Sequence, residues 1–197
     1  MDRLDHKAQR YRDSRQLCGE IDALCTDLDQ KHPLERKVRF LLDIRGYLKL
    51  NQIRGSYIEF GSFQSEMQYA AFRILDPINC VSAYVGLDTF SGEPVPDIQE
   101  QAGLPITQAG DFAINFAQVD AFVRDSIGPK GHLIKGDFRQ SAVLAKCEPY
   151  NPVCVAVIDC NLLSSIKVST SYCLSHLVKG GVLFVDDFFT NFGAGVP

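Results

Sequence analysis

From residue 55 onward the chain repeats one pattern, a short apolar stretch followed by a segment whose apolar residues recur at helical spacing. Strands that alternate with helices cannot be joined by two-residue hairpins, so the pattern dictates βαβ units and a parallel sheet covered by helices. Strands are expected at Tyr57 to Phe60, Ala83 to Leu87, His132 to Lys135, Val153 to Ile158 and Val182 to Val185. Helices are expected from about Ser65 to Leu75, along the face of Phe112, Phe116, Val119 and Val123, and from a Ser164 or Ser165 cap through Ile166, Cys173, Leu174 and Leu177. Gly128-Pro129 should end the second of these helices, and Gly180-Gly181 the third. Right-handed crossovers with a switch point between the first and fourth strands give the order 3-2-1-4-5.

The first 50 residues read differently. Leu17, Ile21, Leu24 and Leu28, and after Pro33 the series Leu34, Val38, Leu41 and Leu48, fall at helical spacing. The expected organisation is therefore a helical extension over 1–50 and an α/β domain over 51–197. The net charge of −4 hides a slight basic excess in the extension and an acidic body. Arg10, Arg12 and Arg15 are interleaved with Asp13 and Glu20, which marks a solvated helix face and argues against nucleic acid as a partner. Every apolar run falls far short of the roughly 18 residues that span a bilayer, and the charged amino end is unlike a signal peptide, so no membrane association is expected. Seven cysteines without a CxxC pair suggest neither a disulfide framework nor a zinc finger, and place the chain in the reducing cytoplasm.

Parallel sheets bind ligands at the carboxyl ends of their strands. Here those ends read Glu59-Phe60-Gly61-Ser62-Phe63, Asp88-Thr89, Gly136-Asp137-Phe138, Asp159-Cys160-Asn161 and Asp186-Asp187. One such aspartate alone reads as a helix cap; a carboxylate at all five ends reads as a ligand site. Asp88 stands where a carboxylate accepts from both hydroxyls of a ribose. The first turn has one glycine, Gly61, in place of G-x-G-x-x-G, which leaves little room for a pyrophosphate and favours an adenosine compound without phosphates over NAD. If strands four and five are neighbours, Asp159, Asp186 and Asp187 meet. Their repulsion is offset by protonation or by a hard divalent cation, Mg²⁺ rather than zinc, unless one caps a helix and another faces solvent.

Four stretches together resemble the macrocin O-methyltransferase family of class I S-adenosylmethionine-dependent enzymes. These are Tyr57 to Gly61, Gly86-Leu87-Asp88-Thr89-Phe90-Ser91-Gly92-Glu93-Pro94, Ile158 to Ser165, and Lys179 to Phe188. The resemblance covers residues 55–190 and implies a Rossmann-like methyltransferase of natural-product biosynthesis that methylates a hydroxyl of a small sugar-type molecule. It implies that Glu59, Gly61 and Ser62 flank the methionine part of S-adenosylmethionine, that Asp88, with Thr89 beside it, takes the ribose hydroxyls, and that Asp137 and Phe138 border the adenine. Asp159, Asp186 and Asp187 match the family's Mg²⁺ positions, where the ion lowers the hydroxyl pKa and aims the oxygen at the methyl group.

Asn161 and Leu163 depart from the family, whose members often carry an acidic residue and an aromatic there. No general base is evident: His132 and His176 read as structural, and Lys167 as a solvated helix lysine. Two other readings compete. One is a catalytically silent binding module on the same fold. The other is an NAD-dependent oxidoreductase, disfavoured by the single glycine and by the lack of a Tyr-x3-Lys pair. The family's complete sheet has seven strands, so a sequence that stops at Pro197, about ten residues beyond Asp187, is expected to lack strands six and seven. That would leave strand five uncovered, and either a partner subunit such as a second copy in a homo-oligomer covers it, or the isolated chain is weakly active.

Overall fold

The computed structural model of the chain describes residues 15–16, 19–20, 34–97 and 108–186. Its elements in order are α1 (Glu35–Leu50), β1 (Gly55–Phe60), α2 (Glu66–Leu75), β2 (Val81–Asp88), α3 (Phe116–Ile127), β3 (Gly131–Lys135), α4 (Ser141–Leu144), β4 (Val153–Ile158), α5 (Leu163–His176) and β5 (Leu177–Val185). The five strands form one sheet in the order β3-β2-β1-β4-β5, and every neighbouring pair is parallel. This is the expected topology, with the switch point between β1 and β4.

The strand pleat sends alternate side chains to opposite faces, and each face meets its own set of helices. On one face Tyr57, Tyr84, Val155 and Val157 pack with Val38, Leu41 and Leu48 of α1, Ala70 and Ile74 of α2, and Val123 and Ile127 of α3. On the other, Ile58, Phe60, Val85, Leu87, Ala156 and Ile158 pack with Val143 of α4 and with Tyr172 and Cys173 of α5. The apolar face expected for α1 is the one it buries, since Val38, Leu41 and Leu48 are each 0% exposed. Burying a side chain of that size is worth about 1.5–3 kcal/mol, so these three residues make a substantial contribution to docking the helix. The expected earlier helix through Leu17, Ile21, Leu24 and Leu28 lies outside the described residues.

Three local expectations need correction. Phe112 is not in α3, which starts at Phe116 because the Asn115 side chain accepts from the Ala117 amide at 3.0 Å and fixes the start there; Phe112 has φ of +63°. Neither Ser164 nor Ser165 caps α5, whose first residue follows Leu162 without a side-chain cap. Gly180 and Gly181 do not end that helix either; it stops at His176, and both glycines lie inside β5. The ladder runs from Val153↔Leu177 directly to Val155↔Val182, so β5 carries extra residues between those two rungs. Gly180 absorbs the excess with φ of +80°, and the Tyr47 hydroxyl of α1 donates to its carbonyl at 3.0 Å.

Candidate active site

A cleft of about 1160 Å³ opens at the carboxyl ends of the strands, between α1 and the loops after β1, β2 and β4. Glu59, Gly61, Ser62, Asp88, Thr89, Phe138, Asp159 and Asp186 all line it. Asp137 does not: both of its oxygens accept from Arg139, at 2.8–3.1 Å. Burial would raise the Asp137 pKa, but the guanidinium outweighs it and lowers it. Asp187 lies outside the described residues. His132, His176 and Lys167 are not among the lining residues. The His132 ring packs tilted against Tyr150 with centroids 4.8 Å apart, and the His176 ring stacks on Tyr172.

The first turn is the most constrained part of the cleft. Gly61 has φ of +87°, and a Cβ built on it would lie 2.0 Å from the Asp159 carbonyl oxygen, so only glycine allows β1 and β4 to approach this closely at their ends. Phe63 and Ser65 also have positive φ, +43° and +62°, conformations that cost on the order of 1–3 kcal/mol each in a side-chain-bearing residue. Asp88 helps to hold the turn. One of its oxygens accepts from the Phe63 amide at 2.9 Å and the other from the Phe90 amide at 2.8 Å, which ties the loop after β1 to the loop after β2. Burial raises the Asp88 pKa against the opposing pull of those amides. A carboxylate oxygen accepts more than one hydrogen bond, so each retains capacity toward the cleft.

Three further buried groups in this turn, at Ser62, Gln64 and Ser65, lack a partner among the described residues, and the first two line the cleft. Ser62 and Gln64 are 4% and 2% exposed, both line the cleft, and neither Ser62 Oγ nor Gln64 Oε1 has a hydrogen-bond partner among the described residues. A buried polar atom left unmade costs about 1–3 kcal/mol, which a polar ligand would recover. Gly86 of β2 makes the space, since a Cβ there would come within 2.9 Å of Ser62 Oγ. Gln64 was not singled out by the sequence; its only signal was its place three residues after Gly61.

Glu59 closes the floor, 1% exposed, and accepts from the Tyr57 hydroxyl at 2.8 Å. Burial pushes its pKa up to about 8, against the lowering effect of Lys37 and Tyr57. Across the mouth, Asn161 donates to Glu93 at 2.9 Å, joining the loops after β4 and β2. The amide at 161 thus serves as a donor to a carboxylate that an acidic residue there would repel. Thr89 spends its hydroxyl on the Gly92 carbonyl at 2.6 Å.

At the other end of the cleft, Asp159 and Asp186 do converge, as adjacent strands require. They converge on Lys37 of α1. Its ammonium donates to Asp159 Oδ2 and lies 3.0 Å from Asp186 Oδ2, while Arg36 pairs with Asp186 Oδ1. The Lys37 and Asp186 side chains are 12% and 8% exposed. Burial alone would lower the Lys37 pKa, but the two carboxylates reverse that and keep it charged. Sequence reasoning missed Lys37, although a signal existed: it stands three residues after Leu34 and four before Leu41, on the apolar stripe of α1.

With this geometry the fold has clear counterparts among solved structures. A calicheamicin methyltransferase, CalS11, is similar at a TM-score of 0.60 and 20% identity, over 89% of this chain and 78% of that one. The O-methyltransferase NovP is similar at 0.62 and 16%, over 82% and 69%. An O-methyltransferase from Bacillus cereus in complex with SAH (S-adenosylhomocysteine) is similar at 0.53 and 13%, over 91% and 66%. These similarities establish the Rossmann-like methyltransferase fold. No protein-family model matches the chain, and no curated protein matches it in sequence.

The residues present can be tested against the two groups that the fold suggests. S-adenosylmethionine fits: the orphaned Ser62 and Gln64 oxygens, the Asp88 carboxylate and the glycine-made space lie together at the switch point. Mg²⁺ does not fit the described residues. Among them no group of three or more His, Cys, Asp and Glu side chains is arranged to hold a metal ion, and the two carboxylates that meet are already bridged by Lys37. In the described residues no helix is long and apolar enough to cross a membrane.

Proposed function

We propose that the chain is an S-adenosylmethionine-dependent O-methyltransferase acting on a hydroxyl of a small molecule of sugar or natural-product type. The observation that carries the reading is the cleft at the β1/β4 switch point, lined by Asp88 together with Ser62 and Gln64, whose buried side-chain oxygens have no partner among the described residues. The similarity of the fold to the methyltransferases CalS11 and NovP supports it. Residues 51–197 would form the cofactor domain, with α1 contributing the wall that carries Lys37.

Asp88 would accept from the ribose hydroxyls while its bonds to Phe63 and Phe90 keep it fixed. Ser62 and Gln64 would satisfy the amino-acid end of the cofactor, and Glu59, which lines the same cleft with its pKa raised to about 8, would offer a neutral carboxyl there at pH 7. Phe138, packed edge-to-face on Phe60 with centroids 5.2 Å apart, offers an apolar surface to the adenine. When bound, the cofactor supplies a methyl group made electrophilic by its sulfonium. The chain's contribution is then positioning: the Asp159–Lys37–Asp186 cluster would orient the acceptor oxygen, and the surrounding loops exclude water. The Mg²⁺ assistance expected from sequence supplies no step here, because Lys37 holds the two carboxylates.

Calorimetric titration with S-adenosylmethionine, SAH and NAD tests the cofactor, and a methyl-transfer screen over hydroxylated sugars and catechols tests the reaction. Micromolar binding of SAH without NAD binding is the expected result; binding of NAD alone would overturn the reading.

A further inference from the structure

We infer that Lys37 is a tethered cation that takes the place of a divalent metal between Asp159 and Asp186. The chain therefore needs no metal ion at this position. Three observations carry this. The Lys37 ammonium contacts an oxygen of each carboxylate, and Arg36 contacts a further oxygen of Asp186. Lys37 and Asp186 are largely buried, and the exposed Arg36 adds a second cation, so a divalent ion placed beside Lys37 would meet positive charge already in position. Lys37 is also held in position by its own helix, since Val38 and Leu41 beside it are fully buried. A metal would have to displace that ammonium from both carboxylates. Chemically, the exchange replaces a Lewis acid that binds two substrate oxygens with a hydrogen-bond donor, which orients an oxygen but lowers a hydroxyl pKa far less. This favours acceptors whose hydroxyl is already acidic, or a separate base, over simple sugar alcohols.

The inference extends the proposed function, but its test does not depend on it. The chelator-treated full chain is titrated with Mn²⁺ and free Mn²⁺ is followed by electron paramagnetic resonance. The wild type is expected to show no saturable site up to about 1 mM, the weak end of protein sites for hard cations. Lys37→Met, which removes the ammonium and keeps the apolar stem, is expected to gain a site at least about tenfold tighter, lost again on adding Asp159→Asn. A stoichiometric wild-type site that Asp159→Asn weakens overturns the inference, as does a folded Lys37→Met chain that gains nothing. Should Lys37→Met not fold, nitrogen-detected NMR of the Lys37 ammonium in the wild type decides. A resonance undisturbed by Mn²⁺ supports the tethered cation, and one broadened by substoichiometric Mn²⁺ overturns it. SAH calorimetry on the same preparation reports on the cofactor reading separately.

Discussion

Glu59 offers a test of the site that needs no substrate. Its carboxyl is 1% exposed and its pKa is pushed from 4.5 up to about 8. A raised pKa means that the folded chain holds this proton more tightly than the unfolded chain does. The stability linked to it is thus full below pH 4.5, falls as pH rises toward 8, and levels off above that. At 1.36 kcal/mol per pH unit, the loss between pH 5 and pH 8 comes to about 3–4 kcal/mol, a large part of a domain's usual 5–15. Glu59→Gln mimics the protonated carboxyl, fills the same volume and can still accept from Tyr57, so it removes the loss. Urea unfolding at half-unit steps from pH 5 to 8.5 measures both chains, and their difference cancels other titrating groups such as His132. With m near 2 kcal/mol/M, the wild-type midpoint should fall relative to the variant by about 1.5–2 M across this range. Parallel curves for the two chains would show that Glu59 ionises as it does in water, and would refute the reasoning.

Other predictions concern single residues. Asp88→Ala should weaken SAH binding about tenfold to a hundredfold, the loss of hydrogen bonds to a charged acceptor worth about 1.5–3 kcal/mol; unchanged calorimetric affinity would contradict the assigned role. Gly61→Ala should destabilise by at least about 2 kcal/mol, because the left-handed backbone penalty adds to overlap with the Asp159 carbonyl; an unfolding midpoint like that of the wild type would contradict it. Cys147, Cys154 and Cys173 are buried, and burial pushes each thiol up to about 12. Mass-mapped alkylation of the native chain at pH 8 should leave all three unmodified while denatured chain reacts, and native labelling at the rate of free cysteine would show that the packing around them opens.

The sheet was legible because its three central strands are buried on both faces and all are punctuated by turn residues; β4, Val153–Ile158, has the boundaries expected for it. The errors lay where one local signal competed with another. Gly180 and Gly181 look like a helix stop, yet the tertiary ladder with β4 recruits them into a strand. Phe112 has the right spacing for α3, but the Asn115 cap decides the start. In the site, the strand-end carboxylates could be read because a parallel sheet gathers such ends by topology alone. The place of Lys37 on the apolar stripe of α1 could have marked it, but the partners of Lys37 and Arg36 could not be read, since they lie 122 and 150 residues away and no periodicity encodes a contact across that distance. Asp137 shows a different feature that position alone does not convey: Arg139, two residues on, pairs with its carboxylate.

The span between α1 and β5 also bears on how the chain is made. At 5–20 residues per second, a ribosome that has finished Arg36 needs about 8–30 s to reach Asp186, 150 residues later. Until then the nascent chain can assemble β1, β2 and β3 with their helices, but β1 has an open edge where β4 will pair, and the cations of α1 have no counter-charges. The half-sheet therefore waits with an apolar strand unpaired, the kind of edge that other chains or a chaperone would seize. Arrested chains ending before Val153 should accordingly bind chaperones more strongly than chains released after β5. The cleft would close only once β5 is made, because Asp159 and Asp186 follow the basic wall of α1 by 122 and 150 residues.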